Sequence, residues 1–339
     1  MKAIITGGAG FIGSNAASRY LQRGDEVIII DNLSRPGTQR NLNWLKPQGL
    51  LSFYRCDIRN SDEVKAIFNA HDDADLVLHL AGQVAVTTSL SDPLADFETN
   101  ALGTLNILEA ARFAGLDAPI LYASTNKVYG GMEEVAIMQN NGHYAYSELC
   151  DGVNERQGLD FHSPYGCSKG AADQYVRDYA RIYGLNTVVF RQSCIYGYRQ
   201  FGVEDQGWVA WFIIAAILGK PIVVYGDGKQ VRDILFIDDL LDAYDAAVSN
   251  IKRTRGQVYN IGGGPHNVMS LRQLITFLGC KQGRALPYTC RDWRKGDQRV
   301  YVSNISKAKV DFEWSPKVCA NQGLTRLYDW VLSNRELFA

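Results

Sequence analysis

The sequence predicts an α/β protein, a doubly wound parallel sheet joined to a smaller, discontinuous C-terminal substrate domain. Two observations carry the prediction. Up to Arg191, short apolar β-rich runs alternate with helical stretches, the order expected of parallel strands linked by crossover helices. A glycine-rich turn also joins the first apolar run to the first helical stretch. Taken in order, the predicted strands are Lys2–Thr6, Glu26–Asp31, Leu51–Arg55, Asp75–Leu80, Ile120–Ser124 and Asn186–Arg191. Helical spacing fills the intervals at Gly13–Arg23, Asp62–Asn69, Pro93–Ala114 and Tyr165–Tyr183, the last closed by Gly184 as a C-cap. Glycine, charge and aromatics take over at Tyr196–Gln230 and from Gly263 onward, whereas Ile234–Ile237 and Gln257–Ile261 read as returns to the main sheet. The expected division is therefore a first domain of 1–195 with a returning segment 231–262, and a second of 196–230 and 263–339.

Composition narrows the function. The 339 residues carry 35 Lys+Arg against 36 Asp+Glu and are 46% apolar, which excludes disorder and gives no clustered charge for nucleic acid or a membrane surface. A small-molecule partner is expected. The longest apolar run, Trp208–Leu218, is shorter than the roughly 20 residues of a membrane span and reads as a buried helix. Only Met1 and Lys2 precede the apolar run Ala3-Ile4-Ile5 of the first strand, so no export signal is expected and a cytoplasmic protein is. Its 7 cysteines are scattered, without a C-x-x-C pair or a neighbouring histidine, and read as reduced thiols. His79, inside Leu76-Val-Leu-His-Leu80, reads as a hydrogen-bonded core histidine, and no metal site is expected.

The glycine-rich turn is Thr6-Gly7-Gly8-Ala9-Gly10-Phe11-Ile12-Gly13. Gly7 permits the tight turn, Gly10 lets a pyrophosphate approach the helix N-terminus, and Gly13 lets the helix pack close to the sheet. Asp31 ends the second strand about 20 residues on, where a carboxylate accepts ribose 2′- and 3′-hydroxyls and repels a 2′-phosphate. That favours NAD over NADP, with Arg35 as the one nearby group able to serve a phosphate. Asp57 and Ile58 suit the edge of an adenine pocket. Leu80-Ala81-Gly82 suits the floor beneath the middle of the cofactor.

Tyr165-Gly-Cys-Ser-Lys169 sets a phenol and an ammonium one helical turn apart. Tyr225-Gly-Asp-Gly-Lys229 has the same spacing, but its glycines make it a turn. Upstream, the strand ending Ser124-Thr125-Asn126-Lys127-Val128-Tyr129-Gly130 places the Thr125 hydroxyl at the carboxyl edge of the sheet. Oxidising a carbinol requires a base, and a phenol with a pKa of about 10 is ionised about one part in a thousand at neutral pH. Lys169 and a cationic nicotinamide can supply the on the order of 4 kcal/mol that favours phenolate. Thr125 can hold the reacting oxygen.

The glycine turn, Asp31-Asn-Leu-Ser34, His79-Leu-Ala-Gly82, Asn100-Ala-Leu-Gly-Thr104, Val128-Tyr-Gly130 and Tyr165-x-x-x-Lys169 together resemble the extended short-chain dehydrogenase/reductase family of nucleotide-sugar epimerases and dehydratases. The resemblance covers nearly the whole chain. It implies a Rossmann-type first domain holding NAD through Gly7, Gly10, Phe11, Ile12, Gly13, Asp31, Asn32, Ser34, Arg35, Asp57, Ile58, Leu80, Ala81, Gln83, Asn100, Ser124, Tyr165, Lys169 and Ser193. The implied catalytic residues are Thr125, Tyr165 and Lys169. Longer runs, among them Leu159–Tyr175, Asp205–Trp208, Gly228–Asp233 and Asp297–Arg299, resemble members that invert C2 of CDP-linked hexoses for lipopolysaccharide O-antigen. The reaction so implied oxidises C2 to a 2-keto sugar and returns the hydride to the opposite face.

Family members that eliminate water carry an Asp-Glu pair directly after the catalytic Thr. Asn126 and Lys127 stand there instead, and neither does carboxylate acid/base work at neutral pH, so dehydration is disfavoured. Arg232 and Arg299 are the candidates for the substrate pyrophosphate, because a guanidinium fork matches two phosphate oxygens. The competing reading of Arg232 is a salt bridge to Asp233 or Asp238. Thr88, Asn126, Cys194 and Gln206 complete the implied substrate contacts, together with Thr125 and Tyr165. Cys194 departs from the Asn that relatives often place there. A homodimer through helices such as Pro93–Ala114 is the family expectation. The alternatives are a UDP-hexose 4-epimerase and a non-catalytic NAD-sensing protein.

Overall fold

Apolar runs that can be covered on both faces become the parallel strands of the sheet. The computed structural model describes residues 1–294 and 296–338, with all of their side chains but that of Asn140. The chain opens with β1 (Lys2–Thr6), α1 (Phe11–Gln22), β2 (Glu26–Ile30), α2 (Thr38–Leu45), β3 (Leu51–Tyr54), α3 (Ser61–Ala70) and β4 (Leu76–His79). There follow α4 (Val86–Ser91), α5 (Pro93–Phe97), a π-helical turn Glu98–Leu102, α6 (Gly103–Phe113), β5 (Ile120–Thr125), β6 (Ile137–Asn140), β7 (His143–Tyr146), α7 (Ser163–Ile182) and β8 (Thr187–Gln192). The remainder is β9 (Cys194–Tyr196), α8 (Trp208–Leu218), β10 (Val223–Tyr225), β11 (Val231–Phe236), α9 (Ile237–Ser249), α10 (Ile251–Thr254), β12 (Val258–Ile261), β13 (Val268–Ser270), α11 (Leu271–Gln282), β14 (Thr289–Arg291), β15 (Val300–Tyr301), α12 (Ser306–Phe312) and α13 (Ala320–Ser333).

The chain divides into two compact units, one of Met1–Val128, Ser163–Arg191 and Tyr244–Tyr259, the other of Tyr129–His162, Gln192–Ala243 and Asn260–Ala339. In the first, a seven-stranded sheet runs β12-β8-β5-β4-β1-β2-β3. Strand order reverses between β1 and β4, so the carboxyl ends of these two strands form the switch point where such sheets bind ligands. Ile4, Ile28, Val77 and Ile120 are fully or almost fully buried, as parallel strands covered on both faces must be.

The helix expected over Pro93–Ala114 is instead α5, a π turn and α6. The π turn brings Asn100 inward, where its amide bonds both backbone groups of Gln83 and the Ser168 hydroxyl. A second difference concerns the strand expected at Ile234–Ile237. It is β11, and it joins β9, β13 and β15 in the second unit rather than the main sheet, while β12 does return to that sheet. A short buried strand carries no signal of which sheet it pairs with. The segment returning to the first unit is accordingly 244–259, and 129–162, with the hairpin β6–β7, belongs to the second.

The second unit is built on β13-β11-β15 with β9 against β11, and on the parallel pair β10–β14. Helix α8, the apolar run Trp208–Leu218, is packed into its core, and no described helix is long and apolar enough to cross a membrane. Tyr225–Lys229 is a turn, with Gly226 and Gly228 at φ of 86° and 76°. Its two side chains diverge, Tyr225 to Glu204 and Lys229 to Gln139.

Candidate active site

The glycine turn leaves β1 at the switch point. Gly7 has a φ of 66°, and a Cβ there would lie 2.7 Å from the Ala81 backbone nitrogen, so only glycine lets the turns after β1 and β4 meet. At Gly13 a Cβ would lie 2.3 Å from the Gly7 carbonyl oxygen, which ties the helix tightly to the turn. Helical bonding in α1 starts with the Ser14 N–H to the Gly10 carbonyl at 2.9 Å. Among the described residues no side chain caps Gly10 and no acidic residue lies in the first turn, so the N–H groups of Phe11, Ile12 and Gly13 suit an anion.

The switch point is braced by a chain the sequence did not reveal. The Thr6 hydroxyl lies 2.7 Å from His79 Nδ1 and accepts from the Leu80 and Ala81 N–H groups, both at 3.2 Å. His79 Nε2 lies 2.9 Å from the Thr104 hydroxyl, which donates to the Asn100 carbonyl at 2.6 Å. With Thr104's proton so placed, the imidazole is neutral and donates from Nε2. Burial holds it there, lowering its pKa to about 3. His79 is thus the core histidine expected, and its partners Thr6 and Thr104 are the new finding.

At the end of β2, Asp31 accepts from the Ala9 N–H at 3.0 Å and the Leu33 N–H at 2.8 Å, and burial raises its pKa. Asn32 donates to Asp57 at 3.0 Å and accepts from the Ser34 N–H at 3.0 Å. Arg59 grips Asp57 at 2.9 Å and holds its carboxyl down at about 2. Ile58 turns its side chain into the core against Gly103, and its carbonyl accepts from Asn106 at 2.9 Å. Arg35 is half-buried, and its charge bears on Tyr165. The residues after β1, β2, β3 and β4 thus fit a dinucleotide: an anion-binding helix end, a carboxylate for a ribose, and a close-approach turn between them.

Thr125, Tyr165 and Lys169 come together in the first unit, all buried. Tyr165 takes part in a side-chain hydrogen bond with Thr125. Burial pushes its pKa up to about 12, while that bond and the Arg35 guanidinium pull the other way. Lys169 donates to the Ala123 carbonyl at 2.6 Å and stands 4.2 Å from the centre of the Tyr122 ring. Burial lowers its pKa to about 7 against the opposing pull of Asp173 and Asp96. Beneath them Arg191 and Asp173 form a buried bidentate pair, both bonds 2.9 Å, that also receives the Ser124 hydroxyl at 2.7 Å. Ser124, expected at the cofactor, is therefore part of this support. Asp173 lies one helical turn beyond Lys169, a spacing that could have pointed to it.

On α4, Thr88 is exposed, whereas Thr87 Oγ1 is buried without a hydrogen-bond partner among the described residues. Thr87 is thus a second candidate on this helix beside Thr88. The other predicted substrate residues lie in the second unit, apart from Asn126, which is buried directly after Thr125. Arg232 donates to Asp297 at 2.6 Å and to the Val231 carbonyl at 2.8 Å. Its partner is neither Asp233, which faces Ser193 and the Gly264 N–H, nor Asp238, which pairs with Arg326. Ser193, expected at the cofactor, thus has its hydroxyl on Asp233. The Arg299 guanidinium stands over the Tyr144 and Trp293 rings, 5.8 and 5.6 Å from their centres. Cys194 accepts from the Trp208 indole at 3.4 Å, and Gln206 closes a backbone turn with Val203. All seven cysteines carry free thiols, and among the described residues no group of three or more could hold a metal ion.

Residues 3–262 match the model of the NAD dependent epimerase/dehydratase family. The chain is 47% identical over 338 residues, 98% of its length and 100% of the relative's, to CDP-paratose 2-epimerase of Salmonella typhi. Among solved structures it is similar to UDP-glucose 4-epimerase of Thermotoga maritima with UDP-glucose, at 31% identity and a TM-score of 0.85, covering 99% of this chain and 100% of that one. It is similar as well to UDP-glucose 4-epimerase of Thermus thermophilus in complex with NAD, at 31% identity and a TM-score of 0.81, covering 97% and 98% of the two chains.

Proposed function

The chain belongs to the NAD dependent epimerase/dehydratase family, and we propose that within it the protein is an NAD-dependent nucleotide-sugar 2-epimerase that interconverts CDP-paratose and CDP-tyvelose. The observation that carries this reading is the end-to-end likeness to CDP-paratose 2-epimerase. Asn126 and Lys127 after Thr125 support it against dehydration, because elimination needs a carboxylate acid and base at those places.

When bound, NAD supplies the reversible oxidation of the C2 carbinol to a ketone. The glycine turn, the α1 N-terminus and Asp31 would hold it. Tyr165 Oη takes the proton of the C2 hydroxyl on oxidation and returns one to the same oxygen on reduction. With its pKa at about 12 in the protein alone, Tyr165 is almost wholly a phenol at neutral pH, so the base forms only when further positive charge is added. The pull of Arg35 is already contained in that value, so the further charge would come from the cationic nicotinamide of bound NAD, with Lys169 adding to it as an ammonium. Thr125 Oγ1 orients the reacting oxygen. Inversion follows if the ketone turns its other face before reduction.

The grip on the CDP moiety is assigned to the second unit, with Arg299 and Arg232 on the diphosphate and Gln206 and Cys194 as further contacts. Leu90, Leu94, Phe97 and Leu102 expose apolar side chains along α4, α5 and the π turn, and a homodimer through this face accounts for them. A Leu94→Glu/Phe97→Glu protein that still elutes as a dimer would remove that assignment. A cytoplasmic location is part of the same reading.

Purified protein incubated separately with CDP-paratose, CDP-tyvelose, UDP-glucose and UDP-galactose tests the function, with NMR reporting inversion at C2 or C4. The expected result is the same C2-epimer mixture from either CDP-sugar. Turnover of UDP-sugars alone, at C4, would establish the 4-epimerase instead, and no turnover together with retained NAD would favour a sensing role.

A further inference from the structure

Two short helices grip the catalytic helix from one side. The Ser89 hydroxyl of α4 accepts from the Tyr165 N–H at 3.1 Å. The Asp96 carboxylate of α5, 1% exposed, accepts from the Ser168 hydroxyl through one oxygen. Its other oxygen accepts from Gln83 Nε2 at 2.8 Å and Asn100 Nδ2 at 3.3 Å. Ser168 is the residue before Lys169 and within one turn of Tyr165, and Gln83 belongs to the turn after β4. A single buried carboxylate therefore links the turn at the switch point to the segment carrying both reacting side chains. None of its three donors is cationic, so its negative charge is left to act on its surroundings.

We propose that Asp96 is a positioning residue for the oxidation and re-reduction: it locks Ser168, and with it the Tyr165–Lys169 turn of α7, against Gln83, and it supplies one of the two buried negative charges that face Lys169. The other is Asp173 on α7 itself. Across this site the remaining facing groups are Tyr122 on β5, His79 on β4 and Arg35 after β2. Asp96 opposes the effect of burial on Lys169, raising its pKa, and it also raises that of Tyr165. Charge and position are thus separate consequences of one side chain.

The proposal rests on Tyr165 acting as the base, so its test is read first without turnover. In the NAD-bound protein labelled with ζ-13C tyrosine, and with Tyr165→Phe to assign the signal, Asp96→Asn lowers the Tyr165 titration midpoint by about one pH unit, the effect of deleting one buried charge. Asp96→Glu and Ser168→Ala keep the charge and leave the midpoint where it was. With CDP-paratose, all three variants lower kcat by about tenfold to a hundredfold, as a displaced reacting group does, with KM within about threefold. A midpoint unchanged in Asp96→Asn overturns the proposal. If Asp96→Asn does not fold, Ser168→Ala decides, and a kcat within about twofold of the unmodified protein overturns it. A protein whose Tyr165 titrates as stated but which leaves CDP-paratose unchanged refutes the substrate and not Asp96.

Discussion

Replacing Gly13 by alanine tests the cofactor site independently of any substrate. The added Cβ would stand 2.3 Å from the Gly7 carbonyl oxygen and 2.6 Å from Gly8 Cα, both backbone atoms that no side-chain rotation can move. Carbon needs about 3.5 Å from such neighbours, so the turn and the first turn of α1 must part by about 1 Å. A hydrogen bond of about 2.9 Å stretched by that amount is no longer one. Two such bonds from helix N–H groups to a pyrophosphate, at about 1.5–3 kcal/mol each, make a loss of about 3–6 kcal/mol. NAD affinity should fall by about a hundredfold to ten-thousandfold. Gly24→Ala is the control: its φ is 83° but nothing lies within 4 Å, so the fold loses about 1–2 kcal/mol and NAD is kept. The assay is NAD released on denaturing the purified protein, with calorimetric titration of the stripped protein. A Gly13→Ala protein that binds NAD as tightly as the unmodified one refutes the assignment of this turn. So does a Gly24→Ala protein that loses NAD equally.

Tyr165→Phe should lower epimerisation by about a thousandfold while NAD content is unchanged, because the base is lost and the cofactor site is not; measurable turnover above about a tenth of normal would remove Tyr165 as the base. Lys169→Met has a definite sign on stability. The folded pKa of Lys169 is about 7, below its unfolded value, so between the two the unfolded chain holds a proton that the folded one does not. The penalty is largest below pH 7 and relaxes as pH rises, so the variant should melt higher than the parent at pH 7 and lose that advantage toward pH 10, with calorimetry as the check. Asp173→Asn leaves Arg191 buried without its carboxylate and should cost about 3–5 kcal/mol in denaturant unfolding, whereas an Asp173→Leu/Arg191→Met pair should recover most of it.

The parallel sheet was legible because its strands are short, apolar and separated by helices, and the cofactor turn because it has both spacing and context. What sequence could not show is which groups meet across long separations. Thr6, His79 and Thr104 are three unremarkable residues until the fold stacks β1, β4 and α6, and the same holds for Asp96 with Ser168. The π turn was hidden because Pro93–Ala114 keeps helical spacing throughout, and only the inward pull on Asn100 selects the extra residue. Strand β11 lies outside the main sheet, against expectation, because a short apolar run such as Ile234–Ile237 specifies a strand but not its neighbours. Thr87 was not legible for the same reason, since adjacent hydroxyls on a short helix differ only in which one the packing buries.

Arg232 poses the sharpest question about the second unit. Its contact with Asp297 ties β11 to the segment before β15, and one reading makes that tether the whole of its role. Yet a guanidinium has several N–H donors, and the Asp297 and Val231 bonds engage only its two terminal nitrogens. A diphosphate and Asp297 can therefore share the fork, Asp297 fixing its plane while phosphate oxygens take the remaining donors. The two roles separate by substitution. If Arg232 binds diphosphate, Arg232→Lys keeps the charge but loses the fork, and KM for CDP-paratose should rise by about tenfold or more with kcat little changed, while Asp297→Asn raises KM less. If Arg232 is a tether alone, the two variants lower the melting temperature alike and leave KM within about twofold. The second outcome would move the diphosphate to Arg299, which the Tyr144 and Trp293 rings already hold in place.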